Sequence, residues 1–255
     1  MSDNDQALYV YGVVAAADAP NVNAPGVKGA DVRIVHHEDF AVLVSETDRG
    51  PLAAAREVRA HWRVLEEAGE KATVLPVRFG TVMESETAVK EDLLAPNVER
   101  LTALLRELAG RVQLNVKGLY DEERLLRDIV RRTPAIARLR ERVRGLPKSA
   151  GYYDSIQLGE LVAAEVEHCR EQDSALALER LEPHAAAARR EPPAGTDTAF
   201  SASFLVERER VEDFSAAVSR LGKEIDGRMQ IRYVGPLPPY SFADADLTAR
   251  SEAWA

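Results

Sequence analysis

Residues Val234-Gly235-Pro236-Leu237-Pro238-Pro239-Tyr240-Ser241-Phe242 restrict the fold more sharply than any other stretch of the chain. A proline has no N–H to give and its ring clashes with the preceding helical turn, so three of them within four positions exclude a helix. They also exclude a central strand, whose ladder needs each N–H. The sequence therefore predicts that the chain leaves its last strand as a stiff, extended, polyproline-like arm carrying Tyr240 and Phe242. Such an arm either locks onto its own domain or is offered to a partner. Pro236 and Pro239 form a P-x-x-P, but Pro-Pro-Tyr without an intervening residue does not match a WW-domain ligand.

Hydrophobic period divides the rest. Residues 7–14 (ALYVYGVV) are almost wholly apolar and β-prone, which predicts a strand buried on both faces. Residues 18–31 are a loop marked by Pro20, Pro25, Gly26 and Gly29, and 32–35 with 40–44 form a hairpin lacking an Asn-Gly turn. Leu52, Ala55, Val58, Trp62, Leu65 and Ala68 then recur at steps of three and four, defining the buried face of a helix that starts at Pro51 and ends at Gly69. Helices are expected over 81–95 and 98–108, a half-buried strand over 111–117, and helices over 122–132 and 135–144. Residues 154–190 read as one long helix, or two meeting near Pro183. The last unit is a strand (Phe200, Ala202, Phe204, Val206), a helix (Val211, Phe214, Val218, Leu221, Ile225) and a strand (Met229, Ile231, Tyr233). Burying the five helix positions is worth about 1.5–3 kcal/mol each before entropy is charged. The expected class is α+β in two domains, 1–110 and 111–255, the second a modified ferredoxin-like fold with a long helical insertion and the proline-rich arm.

Composition narrows the function. A formal charge of −9 over 255 residues opposes general nucleic-acid binding, which draws its affinity from cationic contacts to phosphates. The arginines between Arg124 and Arg144 are interspersed with acidic residues and no alternating aromatics, as on a solvated helical face, the alternative being a surface for an acidic protein partner. No apolar run reaches the length of a membrane span. A polar, acidic start without a signal-peptide core, together with the single Cys169, leads us to expect a cytoplasmic protein.

Catalytic and ligand signatures are missing. The five histidines include no H-E-x-x-H pair, and Glu165 with His168 is a lone Glu-x-x-His where a di-iron bundle needs two. No phosphate-cradling glycine motif and no G-x-S-x-G elbow is present, so we expect neither catalytic residue, cofactor nor metal. Arg78 lies inside the apolar run LPVRFGT, where a lone charge is costly, so a structural ion pair with Glu84 or Glu86 is expected, the alternative being a contact with a ligand or partner.

Several segments together resemble the gas vesicle protein F/L family: Tyr9-Val10-Tyr11-Gly12-Val13-Val14, Leu75-Pro76-Val77-Arg78-Phe79-Gly80-Thr81, residues 151–160 (GYYDSIQLGE) and the closing GPLPPYSF. Leu237 departs from the pattern, which often has tryptophan there. The resemblance implies a non-enzymatic accessory or minor structural protein of gas vesicles, associated with them in the cytoplasm. Its implied partners are the major hydrophobic shell protein and other gas vesicle proteins, during nucleation and assembly. On this reading Tyr240, Phe242 and Leu237 are expected to contribute to partner binding. The alternative is a ferredoxin-like regulatory module that senses a small molecule.

Overall fold

Strand β1 (Ala7–Ala15) forms because its side chains are apolar on both sides of the pleat, and eight of its nine residues are buried. A computed structural model describes residues 7–48, 50–52, 54–147, 151–193, 195–225 and 227–243. Two units are distinguished, one from residues before Leu114 and after Val234, the other from Leu114 to Val234.

In the first unit β1 lies between β3 (Phe40–Thr47) and the short strand β4 (Leu75–Pro76), with β2 (Val32–His37) on the far side of β3; β5 (Val82–Met83) also pairs with β1. The β2–β3 hairpin closes through Glu38-Asp39, with Glu38 taking φ 50° in place of the expected glycine or asparagine. A bulge between Val10 and Gly12 adds Tyr11 to β1, so that Tyr9, Tyr11 and Val14 all join one core cluster. Gly12 has no room for more than hydrogen, since a Cβ there would sit 2.8 Å from Val74 Cγ1 and 2.9 Å from the Leu75 carbonyl oxygen.

Helix α1 (Ala55–Lys71) covers this face, but it is rolled relative to the apolar stripe read from sequence. Its buried residues are Glu57, His61, Val64, Leu65 and Ala68, while Trp62 remains 37% exposed. The roll is possible because the buried polar groups are satisfied. The Glu57 carboxylate accepts from the Lys28 N–H at 2.7 Å and from Arg56 Nε at 2.7 Å. The helix starts at Ala55, past Pro51, and runs two residues beyond Gly69. At its C-terminal end, where a positive charge is favoured, Lys71 Nζ donates to the Asn21 carbonyl at 2.7 Å. The 81–95 region opens with β5 in place of a helix, followed by α2 (Glu86–Ala88), a wider turn at Val89–Leu94, a 3-10 turn at Ala95–Asn97 and α3 (Val98–Leu108). Ser85 caps α2 by accepting from the Ala88 N–H at 3.1 Å, and Pro96 sits in the first turn of the 3-10 segment.

The second sheet has the order β7-β8-β6-β9. Its elements are β6 (Arg111–Tyr120), α4 (Glu122–Arg132), α5 (Pro134–Gly145), α6 (Tyr152–Leu181), β7 (Ala187–Glu191), β8 (Thr198–Glu207), α7 (Val211–Glu224) and β9 (Met229–Leu237). The long helix ends at Leu181 because Pro183 follows, and residues 187–190, read as its continuation, lie in the edge strand β7, antiparallel to β8. Their Ala and Arg content favours helix locally, but the β8 ladder decides the outcome. Helix α7 buries Phe214, Ala217, Val218 and Leu221, and the Phe214 ring packs 5.1 Å from that of Phe204. Strand β9 continues through Pro236, which its edge position tolerates.

The closing segment differs from the extended arm expected. Beyond Leu237 it curls, with the Tyr240 N–H donating to the Pro238 carbonyl at 2.8 Å and the Phe242 N–H to that of Pro239 at 3.0 Å. It also belongs to the first unit, whereas the sequence reading grouped it with the second domain.

Gly12→Ala should cost about 1–3 kcal/mol, as overpacking does. Gly118→Ala should cost a similar amount, because a Cβ there would lie 2.5 Å from the Phe200 ring. Urea unfolding checks both, and a wild-type midpoint in either variant contradicts the packing described.

Candidate functional site

The most connected polar constellation centres on a histidine in the first unit. His61 is 1% exposed. Its Nδ1 is hydrogen bonded to the Tyr9 hydroxyl at 2.9 Å and its Nε2 to the Tyr240 hydroxyl at 2.8 Å. A neutral imidazole has one donor and one acceptor nitrogen, so one phenol donates to it and the other accepts from it. The Tyr9 oxygen also accepts from the Gly80 N–H at 3.1 Å, linking the ring to the LPVRFGT loop. Tyr11 stacks on His61 with centroids 5.7 Å apart, accepts from the Val27 N–H at 2.7 Å and is bonded to Ser45 Oγ at 2.8 Å. Phe79 meets the imidazole edge-on at 5.6 Å.

The closing segment is bound here by several contacts. The Tyr240 ring lies 4.3 Å from that of Trp62, which is why Trp62 faces outward from α1. Pro238 sits against Gly69, where a Cβ would be only 3.4 Å from the proline ring. Gln113, 3% exposed, clamps Ser241 by donating to its Oγ at 3.1 Å and accepting from its N–H at 2.7 Å. Phe242 is buried and Leu237 half-buried. Of the three residues expected to meet a partner, Tyr240 and Phe242 are thus engaged within the first unit.

Charge states follow from burial. Desolvation holds the His61 pKa down at about 4 and raises the Tyr9 and Tyr240 phenols above their ordinary value. At neutral pH all three are uncharged, a poor arrangement for general acid–base work, which wants a pKa near the working pH. As arranged, the trio is a hydrogen-bonded fastening.

Among the described residues Arg78 forms no ion pair with Glu84 or Glu86. Arg78 is exposed, so its charge stays in water, and its carbonyl accepts from Thr81 Oγ1 at 2.8 Å. Glu86 pairs with Arg33 and lies 4.0 Å from Lys90, while Glu84 is exposed. The His168 ring meets Gln172 at 2.9 Å, and among the described residues no group of three His, Cys, Asp or Glu side chains could hold a metal.

In the second unit the sequence reading passed over a buried carboxylate. Asp173, 5% exposed, accepts from the Tyr120 hydroxyl at 2.6 Å and from Arg228 Nη2. Burial and that bond raise the Tyr120 pKa. The contacts tie α6 to β6 and to the turn before β9 and pair the carboxylate with a guanidinium, whose Nε is buried without a hydrogen-bond partner among the described residues. Sequence spacing alone does hint at both nodes. Glu57, His61, Leu65 and Ala68 share a helical stripe, as do Cys169, Asp173 and Ala177, but a stripe scored for apolar residues passes over the polar members.

Folding lowers the His61 pKa from 6.5 to about 4, so the fold holds the neutral ring and loses stability as pH falls between those values, by about 3 kcal/mol. The Lys71 ammonium, with the N–H groups of Asn23 and Ala24, lowers Glu67 from 4.5 to about 2, and its contribution is lost as pH falls between those two values. Urea midpoints across pH should show both declines, and His61→Phe should flatten the upper one alone. Tyr240→Phe should cost about 1–2 kcal/mol through the lost bond to His61. A full loss of the upper window in His61→Phe accompanied by an unchanged midpoint in Tyr240→Phe would show that Tyr240 contributes nothing to the fastening.

Comparison with known proteins gives one consistent result. The profile of the family described as gas vesicle synthesis protein GvpL/GvpF matches residues 7–244. The chain is similar to gas vesicle protein F of Streptomyces sp. (strain CB03234), with 34% identity over 239 residues covering 92% of this chain and 99% of the relative. It is similar to gas vesicle protein F of Nostoc sp. (strain PCC 7120), with 28% identity over 242 residues, 92% of this chain and 97% of the relative. Among solved structures it resembles the crystal structure of GvpF from Anabaena sp. PCC7120, with a TM-score of 0.80 and 29% identity, covering 93% of this chain and 98% of that one.

Proposed function

Because the chain belongs to the GvpL/GvpF family of gas vesicle synthesis proteins, we propose that it is a non-enzymatic accessory or minor structural protein of gas vesicles. In this role it binds the major hydrophobic shell protein during nucleation and assembly, in the cytoplasm and alongside other gas vesicle proteins. The observation that carries the reading is the extent of the match, from residue 7 to residue 244, which takes in both units and the closing segment.

The chemistry is compatible with that role. A shell subunit that polymerises exposes apolar surface and open strand edges before assembly, and a folded acidic partner can cover them while remaining dispersed itself. The element order β-α-α-α-β-β-α-β and sheet order β7-β8-β6-β9 support a modified ferredoxin-like second domain. For the closing segment we favour a lock on the first unit over a free docking arm, since Tyr240, Ser241 and Phe242 are held by His61, Gln113 and burial. Its effect on partner binding is then indirect, through the integrity of the first unit.

Cross-linking in vesicle-forming cells that carry a tagged full-length chain should yield residue-mapped links to the shell protein. A tagged chain that gives no more links to that protein than an unrelated folded control would overturn the binding role. A mild denaturant wash of isolated vesicles separates the two forms of the role, because a wall component stays and an assembly factor is removed.

A further inference from the structure

Among the described residues the two large apolar side chains most open to solvent, Tyr153 at 83% and Tyr152 at 62%, stand at the start of α6, followed by Ile156 at 44% and Leu161 at 37%. From Tyr152 to His168 the helix buries nothing, whereas from Cys169 onward it buries Cys169, Asp173, Ala177, Leu178 and Leu181. At 100° per residue, Tyr153, Ile156, Glu160 and Glu167 fall within about 60° of one another, opposite the half-buried Leu158 and Val162. A clustered aromatic face of this kind on an otherwise polar surface marks an interaction site.

Charge indicates what covers it. Helix α5 packs against α6 and carries Arg138, Arg140, Arg142 and Arg144 against one Glu141, for a net charge of +3. Residues 152–168 of α6 carry Asp154, Glu160, Glu165 and Glu167 and no lysine or arginine, for −4; within the chain Glu167 also pairs with Arg170 at 3.3 Å, and Arg144 of α5 lies 3.9 Å from Glu141. Two neighbouring helices of opposite sign make a surface complementary to itself, because a two-fold axis parallel to the helices lays α5 of one copy over α6 of the other. With −9 on the whole chain, copies repel through most faces, and α5 is a rare basic stretch able to receive the carboxylates of another copy.

We propose that the exposed face of α5 and the first half of α6 is the interface of a two-fold homodimer. Tyr152, Tyr153 and Ile156 form its apolar seam, and Arg140 and Arg144 of each copy meet Glu160 and Glu167 of the partner subunit. The proposal goes beyond the gas vesicle reading, and a monomeric protein would leave that reading standing.

Sedimentation velocity of the full chain over about 1–200 µM, the range suited to an interface of modest size, reads the outcome. The wild type should pass from monomer to dimer across that range, at lower concentration in low salt than in high salt. Tyr153→Glu with Ile156→Glu should stay monomeric while keeping the wild-type thermal unfolding, since both residues are exposed. Arg140→Glu with Arg144→Glu, and separately Glu160→Arg with Glu167→Arg, should each be monomeric alone and form a dimer when the two proteins are mixed. A wild type that remains monomeric throughout, a dimer that survives Tyr153→Glu with Ile156→Glu, or charge variants that do not combine on mixing would each overturn the proposal.

Discussion

When the His61 ring leaves water, both of its nitrogens must find partners, and Tyr9 from β1 and Tyr240 from the closing segment supply them. The two bonds join residues 52 and 179 positions apart, so the first unit is completed only when the end of the chain returns to it. Closing so long a loop is entropically modest in itself, because the cost grows only with the logarithm of its length. The penalty for leaving His61 half-bonded in a buried site, about 1–3 kcal/mol, favours the closed arrangement together with the Gln113–Ser241 bonds and the burial of Phe242.

Much else in the first unit follows from this arrangement. Helix α1 rolls until His61 faces inward, which brings Glu57 to the Lys28 N–H and turns Trp62 out to receive the Tyr240 ring. The proline-rich loop before β2 is tethered to the same helix, because Glu67 accepts from the N–H groups of Asn23 and Ala24. Polar residues on α1 thus do two jobs, satisfying buried groups and ordering a loop with little secondary structure of its own. The second unit uses a related device, in which Asp173 on α6 gathers Tyr120 and Arg228.

Membership of the GvpL/GvpF family gives these units a setting in gas vesicle biology. The polar nodes of both units are buried and, Arg228 Nε apart, paired internally, which suits a scaffold whose working surface lies elsewhere. The exposed start of α6 offers such a surface, with aromatic side chains outside and no buried residue beneath them.

By itself the sequence determined the elements whose period and punctuation leave one solution: β1, the β2–β3 hairpin, α3, and the strand–helix–strand that ends the second unit. It also carried the family, through YVYGVV, LPVRFGT and GPLPPYSF in order. Periodicity and proline chemistry act over a few residues, so they are legible without a fold. The tertiary structure decided the inward roll of α1, the release of Arg78 to solvent, the conversion of residues 187–190 from expected helix to edge strand, and the curl of the closing segment onto His61. Each of these depends on a partner distant along the chain, such as the β8 ladder for β7 or Tyr240 for His61. Its energy exists only once that partner has been brought into contact, which no local pattern records.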